Sequence, residues 1–143
     1  MSGNGSGAGR ASASADVVRR VAVGITGASG ALYAVRTVAA LLSAGAEVEL
    51  VVSDFGRRLL RDELGDTASV DALPDYLLNR YGESVQAGTL TVHSNRDVGA
   101  SIASGSYACE SMAIVPCSMK TLAGVASSRV RMRESASSAR CAL

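Results

Sequence analysis

Two short segments carry the glycine, hydroxyl and amide groups that bind anions in α/β proteins. The first reads Gly24-Ile-Thr-Gly-Ala-Ser-Gly30, and the second reads Cys117-Ser-Met-Lys-Thr121. Each segment follows an apolar run and precedes residues with helical periodicity. In each segment, the backbone N–H groups of the turn and the N-terminus of the following helix therefore point to a common position. Such a position can bind a phosphate.

Neither segment is a standard nucleotide-binding motif. Thr26 stands where a GxGxxG motif requires its second glycine, and the first segment lacks the Gly-Lys-Ser/Thr ending of a P-loop. A purely structural glycine turn is the alternative for the first segment, although the Ser29 hydroxyl at the start of the helix favours an anion or a flavin. For the second segment the alternative is an N-capping Ser118 followed by a surface Lys120.

Three further side chains could do chemistry, and each has an ordinary structural alternative. His93, the single histidine, ends a predicted strand and is more typical of a core or edge residue than of a base. Glu63, next to several arginines, would by itself be a solvated helix residue. Cys117 as a nucleophile would need a base that no sequence rule brings near, so a small buried cysteine is favoured.

The elements that must position these groups alternate between strand and helix. Val21, Val23 and Ile25 predict a buried strand, and the next dozen residues carry Leu, Val and Ala at helical spacing. Further along, the pattern predicts a strand at Glu47–Ser53 and then a helix at Phe55–Leu64, capped by Ser53 or Asp54, with Phe55, Leu59 and Leu60 facing inward. A partly helical segment at Val70–Tyr81 is expected to break at Pro74. The remaining predicted elements are strands at Leu90–His93 and Met112–Pro116 and a helix at Ser118–Ala126.

This alternation, with its short loops, predicts a parallel sheet covered by helices on both faces. Ligands of such sheets bind at the carboxyl ends of the strands. Three loops fall at that edge, namely Thr26–Gly30, Ser53–Phe55 and Cys117–Thr121. Their convergence is a stronger indication of a binding site than any one loop.

The bulk composition excludes several classes of function. A length of 143 residues fits one domain, and a net charge of +1 gives no electrostatic reason to bind nucleic acid or an anionic membrane. No apolar run reaches the roughly 18 residues of a membrane span. The 3 cysteines lack CxxC spacing, which disfavours a zinc site or a disulfide framework and predicts a reducing cytoplasm. The Gly/Ser/Ala-rich residues 1–18 are expected to be a flexible tail.

Four motifs together point to a known family. They are Gly24-Ile-Thr-Gly-Ala-Ser-Gly-Ala-Leu-Tyr33, Val51-Val-Ser53, Ala103-Ser-Gly-Ser106 and Val115-Pro-Cys-Ser-Met-Lys-Thr-Leu-Ala-Gly124. In order and spacing they resemble the UbiX-type flavin prenyltransferases of the homo-oligomeric flavin-containing Cys decarboxylase superfamily. The Pro-Cys-Ser-Met-Lys-Thr run is the most specific, because other decarboxylases of the superfamily carry an Asn-containing segment there.

The resemblance implies a flavodoxin-like (Rossmann-like) three-layer α/β fold that binds FMN. It also implies transfer of a dimethylallyl group from dimethylallyl phosphate to N5 and C6 of reduced FMN. The product, prenylated FMN, would serve a UbiD-type decarboxylase. The resemblance implies no metal, and it implies a homo-oligomer, which is a dodecamer in the family.

Site residues follow from the resemblance position by position. Gly27, Ala28 and Ser29 match the first flavin loop, and Ser53 matches the second. The third flavin loop corresponds to Ser118, Met119, Lys120 and Thr121. Ser29 also matches a serine near the reacting flavin edge, and Glu63 matches a glutamate that lines the prenyl phosphate pocket. These two residues are the candidate catalytic groups.

The match covers residues 19–126, which we expect to form the flavin-binding domain. Residues 127–143 are Ser/Arg-rich and depart from the family pattern. This departure predicts a truncated or frameshifted member whose sheet is incomplete at its C-terminus. Two alternatives to the prenyltransferase remain open: an FMN-dependent decarboxylase that uses His93, and a non-catalytic remnant that only binds FMN or oligomerises.

Overall fold

A computed structural model describes residues 19–97, 101–104 and 106–127 of the chain. The predicted flexible tail of residues 1–18 lies outside the described residues. The same holds for the predicted off-pattern tail, except for its first residue, Ser127, which ends a helix.

The described residues form a four-stranded parallel sheet. Its strands are β1 (Arg20–Ile25), β2 (Glu47–Val52), β3 (Thr89–His93) and β4 (Ser111–Ile114), in the order β3-β2-β1-β4. From β1 the chain first moves outward to β2 and β3, and it later returns to place β4 on the other side of β1. The carboxyl ends of β1 and β4 therefore border the point where the strand order reverses, which is the usual ligand position in open α/β sheets.

In the described ranges, four α-helices accompany the sheet: α1 (Ala31–Ser43), α2 (Asp54–Leu64), α3 (Leu73–Tyr81) and α4 (Met119–Ser127). Short 3-10 turns occupy Asp66–Ala68, Glu83–Ala87 and Ser101–Ala103. The main core joins alternate strand residues to α1, α2 and α3. Its largest fully buried side chains are Ile25, Leu50, Leu60, Leu73, Leu77, Val23, Val35, Val38, Val48 and Val52. Their period-two spacing in β1 and β2 gives the sheet one strongly apolar face.

The opposite face of the sheet carries a smaller cluster. Ala22, Ile102 and Cys109 are buried there, with Val51 and Tyr107 packed against them. Within the described part of the chain, Met112 of β4 stays 37 % exposed and no residue of α4 is buried. The expected helical cover is thus present on one face, while the other is covered partly by the segment that precedes β4.

The flavodoxin-like α/β class is confirmed by the parallel order of the strands, and the predicted elements agree closely with the observed ones. Two local predictions were wrong. Phe55 is 76 % exposed, because Gly56 and Leu60 form the inner face of α2 and Phe55 points away from both. Pro74 does not break a helix. It lies in the first turn of α3, where a missing backbone N–H costs nothing.

Candidate functional site at the carboxyl edge of the sheet

The first loop connects Ile25 at the end of β1 to Ala31 at the start of α1. Gly30 has a φ of 122°, a conformation that side chains other than glycine rarely adopt. Gly27 packs directly against the Cβ of Phe55, so a side chain at position 27 would force the first turn of α2 to move. Glycine is therefore needed at both positions to keep the loop against α2.

Glu63, from the last turn of α2, caps the N-terminus of α1. The Ser29 hydroxyl donates to Glu63 Oε1 at 2.8 Å, and the Ala31 and Gly30 amides donate to Oε2 at 2.8 and 3.1 Å. The N-cap residue of α1, Gly30, offers no side chain for this purpose. The carboxylate of Glu63 thus fills the anion position that the glycine segment and the α1 N-terminus create.

This contact also sets the charge of Glu63. The hydrogen bond from Ser29, followed by the bond from the Ala31 amide, lowers the pKa of the Glu63 carboxyl below its ordinary value. Glu63 is exposed to solvent, yet it is more than a solvated helix residue, because its carboxylate joins α2 to the first loop.

The second loop begins at Ser53. Its hydroxyl accepts a hydrogen bond from the Gly56 amide at 3.0 Å and so caps α2, which decides between the two predicted caps. The Ser53 amide donates to the carbonyl of Ile25 at 3.0 Å, which ties this loop to the end of β1. Asp54 instead pairs with Arg96, with 3.0 Å between Arg96 Nη2 and Asp54 Oδ2.

The third loop leads from β4 into α4. The Ser118 hydroxyl accepts from the Thr121 amide at 3.2 Å and lies 2.9 Å from the Thr121 hydroxyl, so Ser118 caps α4. The amides of Met119 and Lys120, in the first turn, have no acceptor within the helix. Lys120 is exposed and forms no ion pair with another described residue. This helix N-terminus therefore keeps donors available for an anion.

The first and third loops meet through Thr26. Its hydroxyl donates to the carbonyl of Pro116 at 2.7 Å and accepts from the Ser118 amide at 2.8 Å. In the sequence, Thr26 stands out only as a departure from a glycine motif, and the local pattern holds no signal for this long-range contact. The structure thus joins the first loop to each of the other two.

A second polar cluster lies on the face of the sheet opposite the main core. It was not predicted from the sequence. Glu49 is 6 % exposed, accepts from the Tyr107 hydroxyl at 2.6 Å and is bonded to His93 Nε2. Arg20 Nε lies 3.8 Å from Glu49 Oε1, and its guanidinium stacks on the Tyr107 ring. Two glutamates at alternate positions of an otherwise apolar strand were the available signal for it.

The contacts of this cluster keep Glu49 ionised. Burial acts to raise the pKa of Glu49, but the hydrogen bonds from Tyr107 and His93, together with the charges of His93 and Arg20, lower it overall. The same bond raises the pKa of Tyr107. The His93 side chain bonds to Glu49 within this cluster, and none of its described hydrogen bonds reaches the three loops of the carboxyl edge.

Open grooves occur elsewhere on the molecule. A groove of about 590 Å³ next to α3 is lined by Thr67, Ala72, Asp75, Tyr76, Asn79 and Arg80. Its lining includes none of the three loops, and it lacks the convergent amides of the carboxyl edge. Among the described residues, no helix combines the length and apolar character needed to cross a membrane.

The fold and the edge geometry define an α/β protein of the flavodoxin-like class, with the first and third loops joined where the strand order reverses between β1 and β4. The family model described as Flavoprotein matches residues 10–128. The chain belongs to this family.

Individual relatives have more specific names. Flavin prenyltransferase UbiX of Thauera aromatica is 41 % identical over 109 residues, which are 76 % of this chain and 49 % of the relative. Flavin prenyltransferase UbiX of Salmonella typhimurium is 40 % identical over 109 residues, or 76 % of this chain and 50 % of the relative. The chain spans about half the length of the curated relatives it matches. The resemblance to UbiX-type proteins is confirmed.

Solved structures agree with these relatives. The crystal structure of AnUbiX (PadA1) in complex with FMN and dimethylallyl pyrophosphate is 30 % identical with a TM-score of 0.59, covering 76 % of this chain and 50 % of that one. A dodecameric FMN-dependent UbiX-like decarboxylase from Escherichia coli O157:H7 is 31 % identical with a TM-score of 0.56, covering 74 % of this chain and 51 % of that one.

Proposed function

We propose that the chain binds FMN at the carboxyl edge of the sheet and belongs to a flavin prenyltransferase. The reaction transfers a dimethylallyl group from dimethylallyl phosphate to N5 and C6 of reduced FMN, giving prenylated FMN. The observation that carries the proposal is the bond between Ser29 and Glu63. These residues are 34 positions apart and are in direct contact. Each is a candidate catalytic group from the resemblance, and Glu63 reaches Ser29 within the first flavin loop from α2.

The N-termini of α1 and α4 at this edge have different roles in the proposal. The α1 N-terminus already holds the carboxylate of Glu63, so a second anion there would meet a like charge. The α4 N-terminus offers the Met119 and Lys120 amides, the hydroxyls of Ser118 and Thr121, and the Lys120 ammonium. This donor set fits the FMN phosphate, with Gly27, Ala28 and Ser53 lining the same edge.

The bound flavin supplies the nucleophilic N5 and C6 atoms of the reaction. The chain's own contribution is to hold groups in place and to accept a proton. Ser29 Oγ donates to Glu63 Oε1, so a proton that reaches the Ser29 oxygen can pass onward to a carboxylate that its neighbours keep ionised. Orientation and anion binding are expected to supply most of the remaining rate, because dimethylallyl phosphate is a poor electrophile that must be held against N5 while phosphate leaves.

An anaerobic assay tests the proposed reaction. The purified chain is mixed with reduced FMN and dimethylallyl phosphate, and the flavin is analysed by mass spectrometry. We expect prenylated FMN with wild type, and at least about a hundredfold less with Glu63→Gln, as for removal of a general acid or base. FMN binding without any prenylated product would support the non-catalytic alternative and overturn the transferase proposal.

The proposal extends to partners and location. The product would pass to a UbiD-type decarboxylase in the cytoplasm, and the chain would assemble as a homo-oligomer. Met112, Leu122 and Val125 have exposed apolar side chains. These support an assembly, because exposed apolar surface on a protein often marks a contact with another subunit. Residues 19–126 would form the flavin-binding domain.

A further inference from the structure

Thr26 makes three hydrogen bonds across the gap between the first and third loops. Its hydroxyl donates to the Pro116 carbonyl at 2.7 Å, and its own amide donates to the same carbonyl at 3.2 Å. The Ser118 amide donates to the Thr26 hydroxyl at 2.8 Å. One side chain therefore acts as donor to one residue of the third loop and as acceptor from another.

These bonds lie where the sheet no longer holds the two loops together. The ladder between β1 and β4 ends at the pair Gly24 and Ile114, and the Val115 amide still donates to the Gly24 carbonyl at 2.9 Å. Beyond this point the chain turns toward α1 on one side and toward α4 on the other. Thr26 provides the next side-chain contact between these two paths.

The contact reaches the phosphate donors through Ser118. Ser118 caps α4, since its hydroxyl accepts the Thr121 amide, while its own amide is bound to Thr26. The position of Thr26 thus fixes Ser118, the residue that caps α4, and with it the amides of the first turn. Thr26 also immediately precedes the first flavin loop at Gly27.

We propose that Thr26 is a positioning residue that sets the distance and orientation between the first flavin loop and the phosphate-binding N-terminus of α4. This inference rests on the proposed function for its effect on FMN, although the contact itself belongs to the protein alone. Thr26 touches loop residues rather than the reacting atoms.

The inference requires a hydroxyl at position 26. Valine has the same shape but can neither donate to the Pro116 carbonyl nor accept from the Ser118 amide. Its introduction would leave the Ser118 N–H without its partner in a half-buried position, which favours movement of the third loop toward water. Serine keeps both functions and should restore the contact.

The variants Thr26→Val and Thr26→Ser test the proposal, with Thr37→Val as the matched control. Thr37 lies within α1, and its hydroxyl donates only to the Tyr33 carbonyl at 2.8 Å, so it is a threonine whose bond stays inside one helix. FMN binding is measured by quenching of flavin fluorescence, and the melting temperature is measured without FMN. We expect Thr26→Val to raise the Kd of FMN about tenfold or more, and Thr26→Ser and Thr37→Val to stay within about threefold of wild type.

A second measurement does not involve flavin. Hydrogen exchange of the Ser118 amide, followed by NMR without FMN, should be slow in wild type and in Thr26→Ser and at least about tenfold faster in Thr26→Val. Rapid exchange in wild type would overturn the inference even if Thr26→Val failed to fold.

The outcomes separate this inference from the proposed function. Suppose that wild type bound no FMN while the Ser118 amide were protected through Thr26. The proposed function and the effect of Thr26 on FMN binding would then be wrong, while the structural contact between Thr26 and Ser118 would be confirmed. If wild type bound FMN and Thr26→Val bound it equally well, the positioning role would be wrong. A Thr26→Val defect that Thr26→Ser did not rescue would also contradict a role for the hydroxyl.

Discussion

In the described part of the chain, α1, α2 and α4 all begin at the carboxyl edge of the sheet, and one residue makes the N-termini of α1 and α4 different. Glu63 neutralises the N-terminus of α1 from within the protein, through bonds to Ser29, Gly30 and Ala31. The N-terminus of α4 holds neutral hydroxyls and a lysine instead. A single glutamate at the end of α2 therefore occupies the donors of α1 and leaves the N-terminus of α4 with donors open to an anion.

Removal of the Ser29 hydroxyl should change the ionisation of Glu63. Because the Ser29 bond contributes most to lowering the pKa of Glu63, Ser29→Ala should raise that pKa toward the ordinary glutamate value. The measurement is an NMR titration of the Glu63 side-chain carboxyl carbon. Ser43→Ala, at the opposite end of α1, is the control and should leave the titration unchanged. An unchanged pKa in Ser29→Ala would contradict the observed contact.

At the scale of the elements, the Glu49 cluster joins three strands to the segment before β4. Glu49 in β2 contacts His93 of β3, Arg20 of β1 and Tyr107. Each contact crosses from one element to another, so the cluster holds the less covered face of the sheet in register.

The free energy of unfolding should depend on pH through this cluster. The pKa of Glu49 is lower in the folded chain than the ordinary 4.5, so its contribution is fully present above that value and is lost as pH falls through the folded pKa. We expect Glu49→Gln to lower the free energy of unfolding by about 1–3 kcal/mol at neutral pH, with the difference from wild type shrinking below pH ~4.5.

Urea unfolding at neutral and acidic pH measures this difference. The control is Glu47→Gln on the same strand, whose half-exposed pair with Arg20 should be worth at most about 1 kcal/mol. A Glu49→Gln difference that stayed constant from neutral to acidic pH would argue against an ionised Glu49 in the fold.

The packing of α2 against β1 allows a second test at this scale. A Cβ at Gly56 would lie 2.5 Å from the carbonyl oxygen of Ile25, which is backbone and cannot rotate away. We expect Gly56→Ala to destabilise the chain by about 1–3 kcal/mol, the usual cost of overpacking. Gly124→Ala in α4 is the matched control, because nothing lies within 4 Å of its added Cβ. It should leave the urea midpoint unchanged or raise it, and equal losses in both variants would refute the packing argument.

For the molecule as a whole, the fold followed from local patterns. Alternating Val and Ile in β1, the helical spacing in α1 and the glycine turns between them act over short distances, so the sequence displays them directly. Contacts between distant residues left weaker signals. The bonds of Thr26 to the third loop and of Glu49 to His93 and Tyr107 depend on strand order, which no local pattern encodes.

In the candidate site, too, single residues could be predicted from the sequence, whereas the contacts between distant residues could not. The resemblance identified Ser29, Glu63 and the third loop one by one. It did not predict the capping of α1 by Glu63, because that contact depends on how α2 packs beside the first loop. The exposure of Phe55 was missed for a related reason. Apolar character predicts burial, whereas Phe55 lies in the first turn of α2 over Gly27, at the rim of the edge rather than in the core.

The proposed site binds FMN at the carboxyl edge with the phosphate on the N-terminus of α4. Parallel titrations of the purified chain with FMN and with riboflavin, which lacks the phosphate, test it most directly. We predict saturable FMN binding with a Kd at least about tenfold lower than that of riboflavin, and a smaller ratio in Lys120→Ala. Equal affinities for the two flavins, or no saturable binding of FMN, would contradict the claim.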